Sequence, residues 1–326
     1  MTNRMYARIA GTGGYLPEKV LTNDDLAAIV DTSDDWIRAR TGICKRHIVD
    51  PQQSTCDLAY EASVRAMESA GIDASQLDLI LVSTTTPDLA FPSTACLLQA
   101  RLGANGCGAF DLNAACSGFI YALSIADKFI RSGDCKTILV VGAETLTRTI
   151  DWTDRTTCVL FGDGAGAVVL KADKETGILS TLLHADGSKK DLLWSPLAVR
   201  EAGFALSVRK DVALQMKGND VFKYAVKALD SLVEEILERN QLDRGQIDWL
   251  IPHQANLRII EATAKRLNLS MDRVVVTVDQ HGNTSAASVP LALDQAVRAG
   301  HIRRNALLLF EAFGGGFTWG AALAKY

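Results

Sequence analysis

Residues 71–83 read GIDASQLDLILVS, and residues 241–253 read QLDRGQIDWLIPH. A shift of 170 carries Asp73 onto Asp243, Gln76 onto Gln246 and Asp78 onto Asp248, and it matches Leu77 with Ile247 and Ile80 with Leu250. The likeness extends outward. Each segment follows an amphipathic helical pattern (55–70 and 219–240) and leads into a strand of buried type. After each come a helix (93–103 and 256–268), a further strand, and a helix closing on Gly133 or Gly300. An apolar strand follows (137–141 and 306–310), then a glycine-rich stretch running into a last strand, FGDGAGAVVL in one half and FGGGFTWGAALA in the other. A unit of about 150–170 residues therefore occurs twice. Alternating strands and helices predict an α/β fold with mostly parallel sheets and helices on their faces. Two stacked half-units predict α/β/α/β/α layers. The halves span 1–176 and 219–326, and residues 177–218 fit neither, so they are expected to form a connection over the site.

The repeat also places chemistry. In GAFDLNAACSGFIYALSIADKFIR, residues 108–112 read as the end of a buried strand and 117–131 as a helix, with Phe119, Leu123, Ala126 and Ile130 on one face. Cys116 lies between them. A thiol at a helix N-terminus meets unpaired N–H groups and the positive dipole end, which favours the thiolate. Taken alone, Cys116 reads first as a small core residue. Aligning Gly133 with Gly300, a shift of 167, places Cys116 on Asn283, and the shift of 170 places Ser83 on His253. Duplicated halves related by a pseudo-twofold axis bring such turns face to face, beyond the strand C-termini where ligands bind in open α/β sheets. Cys116, His253 in PHQAN and Asn283 in HGNTSAAS form the candidate site. A thiolate with two neutral hydrogen-bonding groups suits acyl transfer through an oxyanion or enolate.

The other signals set limits. A net charge of −4 gives no reason to expect nucleic-acid binding. Seven cysteines without a C-x-x-C pair fit neither a disulfide framework nor a zinc site, and point to reduced thiols. The N-terminus lacks an apolar signal core, and the longest uncharged apolar run, 112–126, is shorter than the ~20 residues a membrane helix needs. The expectation is a soluble cytoplasmic protein. After a strand at 5–11, GTGGYLP reads as a turn and lacks the spacing of a dinucleotide loop. Short helices are expected at 23–30 and 33–40, capped by Thr22 or Asn23 and by Thr32 or Ser33. On the second, Trp36 and Arg40 share a face, a surface pair or an aromatic plane for a nucleotide. Arg258, Lys265 and Arg266 form a basic face on 256–268, either solvated or facing an acidic partner. The GGG at 314–316 allows close backbone approach to a substrate, and His281 is a candidate neighbour of the site.

Together DTSDDWIRARTGI, FDLNAACSGF, RTTCVLFGDGAGA, PHQAN, HGNTSAAS and EAFGGGFTWG resemble β-ketoacyl-[acyl carrier protein] synthase III, the initiating condensing enzyme of type II fatty acid synthesis, over essentially the whole chain. The resemblance implies a thiolase-like fold, a homodimer, and no cofactor, acyl-CoA being a substrate. It implies that Cys116 takes an acetyl group from acetyl-CoA. Malonyl-acyl carrier protein then decarboxylates, with His253 and Asn283 on its thioester carbonyl. It gives Gly315 and Cys116 as oxyanion donors, Phe313 as a screen against water, and Phe91 as a residue lent across the dimer to the acyl pocket. CoA contacts fall on Thr32, Trp36, Arg40, Arg155, Asn219 and Asn256. Carrier-protein contacts fall on Lys223, Arg258, Lys265 and Arg266. A thiolase would need a second cysteine near the C-terminus, and the last one here is Cys158. Polyketide- or quinolone-type Cys-His-Asn enzymes are the same-fold alternative.

Overall fold

The two repeated segments fold alike. Asp73 and Gln76 form a reciprocal capping box around the single 3₁₀ turn Ala74–Gln76, and Asp243 and Gln246 do the same around Arg244–Gln246. The Asp73 N–H donates to Gln76 Oε1 at 2.9 Å, and the Asp243 N–H to Gln246 Oε1 at 2.7 Å. Asp78 then accepts from the N–H groups of Lys136 and Thr137, as Asp248 does from that of Leu307, so each turn anchors the start of a neighbouring strand.

The structure is a computed structural model that describes residues 5–196 and 213–326. In chain order the first elements are β1 (Tyr6–Tyr15), β2 (Val20–Thr22), α1 (Asn23–Ala27), α2 (Asp34–Thr41), β3 (Lys45–His47) and α3 (Thr55–Ala70). Next come β4 (Leu79–Ser83), α4 (Thr94–Leu102), β5 (Gly108–Leu112), α5 (Gly118–Ser132), β6 (Thr137–Glu144), α6 (Arg155–Cys158) and β7 (Gly164–Asp173). β8 (Ile178–Ala185), β9 (Leu193–Trp194), β10 (Gln215–Met216), α7 (Gly218–Asn240) and β11 (Trp249–Pro252) follow. The chain ends with α8 (Leu257–Arg266), α9 (Val278–His281), α10 (Ser288–Arg298), β12 (Leu307–Gly314) and β13 (Thr318–Lys325).

One sheet has the order β1-β7-β6-β4-β5, the other β11-β12-β13-β8. α5 and α10 pack between them; α3 and α4 cover the outer face of the first sheet, and α7 that of the second. These are the expected five layers. The amphipathic spacing of α5 is used as read: Phe119, Leu123, Ala126 and Ile130 are all buried. α1 and α2 take Thr22 and Ser33 as caps, whose hydroxyls accept from Asp25 and Trp36 N–H groups.

Four expectations change. The sheets are mixed: β4 is parallel to β5 and β6, but β7 runs antiparallel to both β1 and β6, and β13 to β12 and β8. β8 stands beside β13 as β1 stands beside β7, so residues 178–185 complete the second sheet instead of connecting the halves. Of the rest of 177–218, residues 197–212 lie outside the described residues. GTGG is strand, not turn: β1 runs on to Tyr15 because Gly11 and Gly13 let α3 lie directly on it. A Cβ at Gly13 would come within 2.2 Å of the Ala62 carbonyl oxygen. Finally, β5 is a partly exposed edge strand, and its counterpart in the second half is only a bridge between Leu250 and Val274.

Candidate active site

Cys116 sits in a 3₁₀ turn, Ala115–Ser117, between β5 and α5. The turn begins with Ala115 at φ 46°, a left-handed conformation that strains a residue with a Cβ. The second half repeats this at Ser285–Ala287, where Ser285 has φ 50°. Asn113 Oδ1 accepts from the Ala115 N–H at 3.1 Å, and Asn283 Oδ1 from the Ser285 N–H at 2.9 Å. The two turns pack against each other, as the pseudo-twofold reading expects. Their equivalence corrects the shift of 167. Asn283 corresponds to Asn113, and Cys116 to Ala286, at the shift of 170 seen in the earlier strand. The terminal glycines mislead because α10 has 11 residues and α5 has 15.

Cys116, His253 and Asn283 line one cavity of about 730 Å³. Asn283 is held by its backbone, which donates to Leu160 O at 2.8 Å and accepts from Gly162 N–H at 3.0 Å. Ser285 occupies the Asn283 amide oxygen, so the amide NH₂ is the group left to face the cavity. His253 follows β11 and donates its backbone N–H to Glu311 O at 2.8 Å. Its Nδ1 lies 2.6 Å from Ser288 Oγ, at the start of α10. Ser288 Oγ also accepts the Gln254 N–H at 3.3 Å; with the hydroxyl proton given to Nδ1, the ring proton is assigned to Nε2. In that tautomer a neutral His253 presents an N–H at Nε2. Burial pushes its pKa down to about 3.

Cys116 differs from its expectation. Burial pushes the thiol up to about 12; the Ser285 hydroxyl lowers it, and the buried Glu144 carboxyl raises it further. Each tenfold change in acidity costs about 1.4 kcal/mol. A helix N-terminus returns about 0.3–1 kcal/mol at the surface and up to about 2 kcal/mol where partly buried. Desolvation outweighs the helix end, and Cys116 rests as a thiol. Phe313 forms the adjoining wall and packs on Phe317 with ring centroids 4.8 Å apart. Gly314 presses on the Cys116 turn, since a Cβ there would lie 2.6 Å from Cys116 N.

Residues 110–187 match the 3-oxoacyl-[acyl-carrier-protein (ACP)] synthase III family, and residues 237–326 match its C-terminal family. A β-ketoacyl-[acyl-carrier-protein] synthase III from Xanthomonas campestris pv. campestris is 74% identical over 326 residues, all of both chains. The chain belongs to the β-ketoacyl-[acyl-carrier-protein] synthase III family. A synthase III from Thioalkalivibrio sulfidiphilus is 62% identical over 98% of this chain and 99% of its own. The crystal structure of the Aquifex aeolicus 3-oxoacyl-[acyl-carrier-protein] synthase III superposes with a TM-score of 0.92 at 47% identity, covering 98% of this chain and 100% of that one. The priming β-ketosynthase of the R1128 polyketide pathway superposes at 0.91 with 37% identity, covering 99% and 97%. The fold is thiolase-like.

Within this synthase III site the expected CoA residues fall mostly at the cavity mouth. Trp36, Arg40, Arg155, Asn219 and Asn256 line it, and Thr32 does not. Arg155 lies over the Trp36 ring at 5.0 Å and Arg40 at 5.8 Å, while Arg155 Nη1 donates to Asp31 O at 2.7 Å. Asn256 caps α8 and donates Nδ2 to Arg40 O at 3.0 Å, tying the two sides of the mouth together. Lys223 and Arg258 also line the mouth, and Lys265 is exposed outside it. Arg266 departs from the expected basic face: it is paired with Asp230 at 2.5 Å and Glu234 at 3.1 Å, so its charge is already matched. Phe91 lies outside the cavity and is 86% exposed. Gly315 is next to the turn that carries Cys116 but not in the lining. His281 is buried outside the cavity, with Nδ1 unpartnered.

Four residues escaped the sequence reading. Ser288 and Gln254 lie inside the quoted motifs, but no spacing rule assigns them. Gln254 is a brace, donating to Pro252 O and Val275 O and accepting from the N–H groups of Thr277 and Val278. Ser285 touches the thiol. Glu311 lines the cavity, and its signal is a lone acid inside the apolar strand LLLFEAF. Among the described residues no cluster of His, Cys, Asp or Glu is placed to hold a metal, and no helix is long and apolar enough to cross a membrane.

Proposed function

We propose that Cys116 carries the primer acyl group and that His253 and Asn283 hold the enolate oxygen of the extender. The protein is an acyl-transferring condensing enzyme of the synthase III type, and its reaction starts fatty acid synthesis. The primer is acetyl-CoA and the extender malonyl-acyl carrier protein. The Cys116 sulfur attacks the acetyl thioester, its proton leaves with CoA, and the acetyl group stays on the enzyme. The malonyl thioester then enters, and its carbonyl oxygen meets His253 Nε2–H and the Asn283 NH₂. Negative charge gathers there as the C–CO₂ bond breaks, which is where two preorganised donors lower the barrier. The carbanion attacks the acetyl carbon, and Cys116 leaves. The N–H groups of Cys116 and Gly315 serve the tetrahedral oxyanion, and Phe313 keeps water from the acyl-enzyme.

The observation that carries this reading is the convergence of the thiol with two donors whose other polar atoms are already engaged, Nδ1 by Ser288 and the Asn283 oxygen by Ser285. CoA binds between Trp36 and Arg155, with Arg40, Asn219, Asn256 and Thr32 along its length. The acidic carrier protein meets Lys223, Arg258 and Lys265. The active form is a cytoplasmic homodimer. The exposed Phe91, Leu89 at 50% exposure, and the open outer edge of β5 favour pairing there, since an edge strand is a template for another chain. No cofactor is required by these steps.

Intact-protein mass spectrometry tests the reading. Acetyl-CoA should add one acetyl group, malonyl-carrier protein should discharge it as acetoacetyl-carrier protein, and Cys116→Ser should take no label. Normal labelling of Cys116→Ser would remove the nucleophile assignment.

A further inference from the structure

Glu311 is a carboxyl with no explained purpose. It stands on β12, side by side with Pro252 of β11, and is 1% exposed. It lines the cavity, yet neither carboxyl oxygen has a hydrogen-bond partner. A buried, unsatisfied acid is costly, and a neutral carboxylic acid is the cheaper form. Burial pushes Glu311 up to about 8, and the Thr263 hydroxyl is the one group that counters this. That hydroxyl also reaches Ile259 O, at 3.4 Å. The other titratable groups lining the cavity are Cys116 from the nucleophile turn, His253 after β11, Lys223 on α7, Arg258 on α8, and Arg40 and Arg155 at the mouth. Across the sheet its neighbour on β13 is Ala321. The acids of α5 and α10 are committed elsewhere, Asp127 to Arg131 and Asp294 to Arg298.

The proposed condensation consumes one proton. Acetyl-CoA, a malonyl carboxylate and H⁺ give the 3-oxoacyl thioester, CO₂ and CoA. The debt appears when the tetrahedral intermediate collapses and the carbon–sulfur bond breaks, because Cys116 then leaves as a thiolate where burial opposes that charge. His253 is neutral and has no proton to spare.

We propose that Glu311 is the acid that protonates Cys116 as condensation expels it. The carbon–sulfur electron pair goes to sulfur, the Glu311 proton crosses to Sγ through cavity water, and the carboxylate regains a proton from solvent. A cavity of about 730 Å³ has room for that water.

This rests on the condensation reading, so the test begins with it. Acetylated enzyme is freed of CoA and mixed with malonyl-carrier protein in a single turnover. Wild-type enzyme that forms no acetoacetyl-carrier protein refutes the condensation reading itself. If it forms product, Glu311→Gln should slow that discharge about 100-fold or more, the scale of a lost general acid. Acetylation by acetyl-CoA should stay within about threefold, since the thiol brings its own proton to that step. Wild-type discharge should fall above about pH 8 as the acid ionises, and Glu311→Gln should show no such limb. A Glu311→Gln variant that discharges at the wild-type rate, or loses both half-reactions equally, overturns the assignment. Should Glu311→Gln not fold, Glu311→Asp carries the test: a shifted basic limb supports the assignment, and a flat profile through pH 9 in wild type or variant overturns it.

Discussion

Ser288→Ala isolates what fixes the histidine. In the wild type the Ser288 hydroxyl lies 2.6 Å from His253 Nδ1 in a fully buried setting, and it also receives the Gln254 N–H. Removing the hydroxyl creates a buried ring nitrogen with no partner, which costs about 1–3 kcal/mol. It also frees the ring to carry its proton on Nδ1, turning Nε2 from donor to acceptor. Only the step that needs the Nε2–H should suffer. At 1.36 kcal/mol per tenfold, that range predicts a loss of about 5- to 150-fold in malonyl decarboxylation. Acetylation of Cys116 should change by less than about twofold, because the acetyl thioester does not depend on that donor. The assay follows acetyl loading by mass spectrometry and release of CO₂ from labelled malonyl-carrier protein, side by side. The Gln254 brace has four other hydrogen bonds, so the loop should stay in place and the melting temperature should move by only a few degrees. Unchanged CO₂ release, or equal loss in both half-reactions, would refute the tautomer argument.

Two further outcomes are expected. The alkylation rate of Cys116 by iodoacetamide should rise tenfold per pH unit from pH 7 to 9 with no plateau, since burial raises the thiol to about 12 and only the thiolate reacts; a plateau by pH 8 would mean that the helix end prevails. Arg258→Glu should raise KM for malonyl-carrier protein severalfold and spare acetylation, whereas Arg266→Glu should mainly lower stability by placing three acids together with Asp230 and Glu234; the reverse pattern would move the docking face.

Most of the fold was legible because the repeat is written in polar residues whose work is local. Asp73 with Gln76, and Asp243 with Gln246, close the same turn in both halves, and no tertiary contact is needed to see it. What stayed hidden depends on partners distant in sequence. Nothing in ILSTLLHA reveals that β8 lies beside β13. The glycines of GTGG look like turn formers until α3 is laid on them. The helix-end argument at Cys116 was sound in sign but incomplete, because the depth of burial is set by both halves at once. Glu311 is visible in sequence as an oddity, and its lack of partners appears only in the folded chain.

The corrected equivalence also changes how the site arose from the duplication. The repeat does not set a thiol opposite an amide at matching positions. It sets Asn113 opposite Asn283, and each asparagine does the same backbone task, accepting the N–H of a left-handed residue two places on. The half-units then diverge. After β5, Asn113 stands exposed at the end of an edge strand. Asn283 follows α9 and is bridged to Phe161 of the first half, which holds it inside. The same amide oxygen is occupied in both, and only in the buried copy does the amide NH₂ face a cavity. The donor role proposed for Asn283 therefore falls on a residue that the turn already requires. It follows that Asn283→Ala loses a turn brace as well as a donor, and Asn283→Asp keeps the brace while removing the donor; comparing the two separates folding from enolate binding at one position.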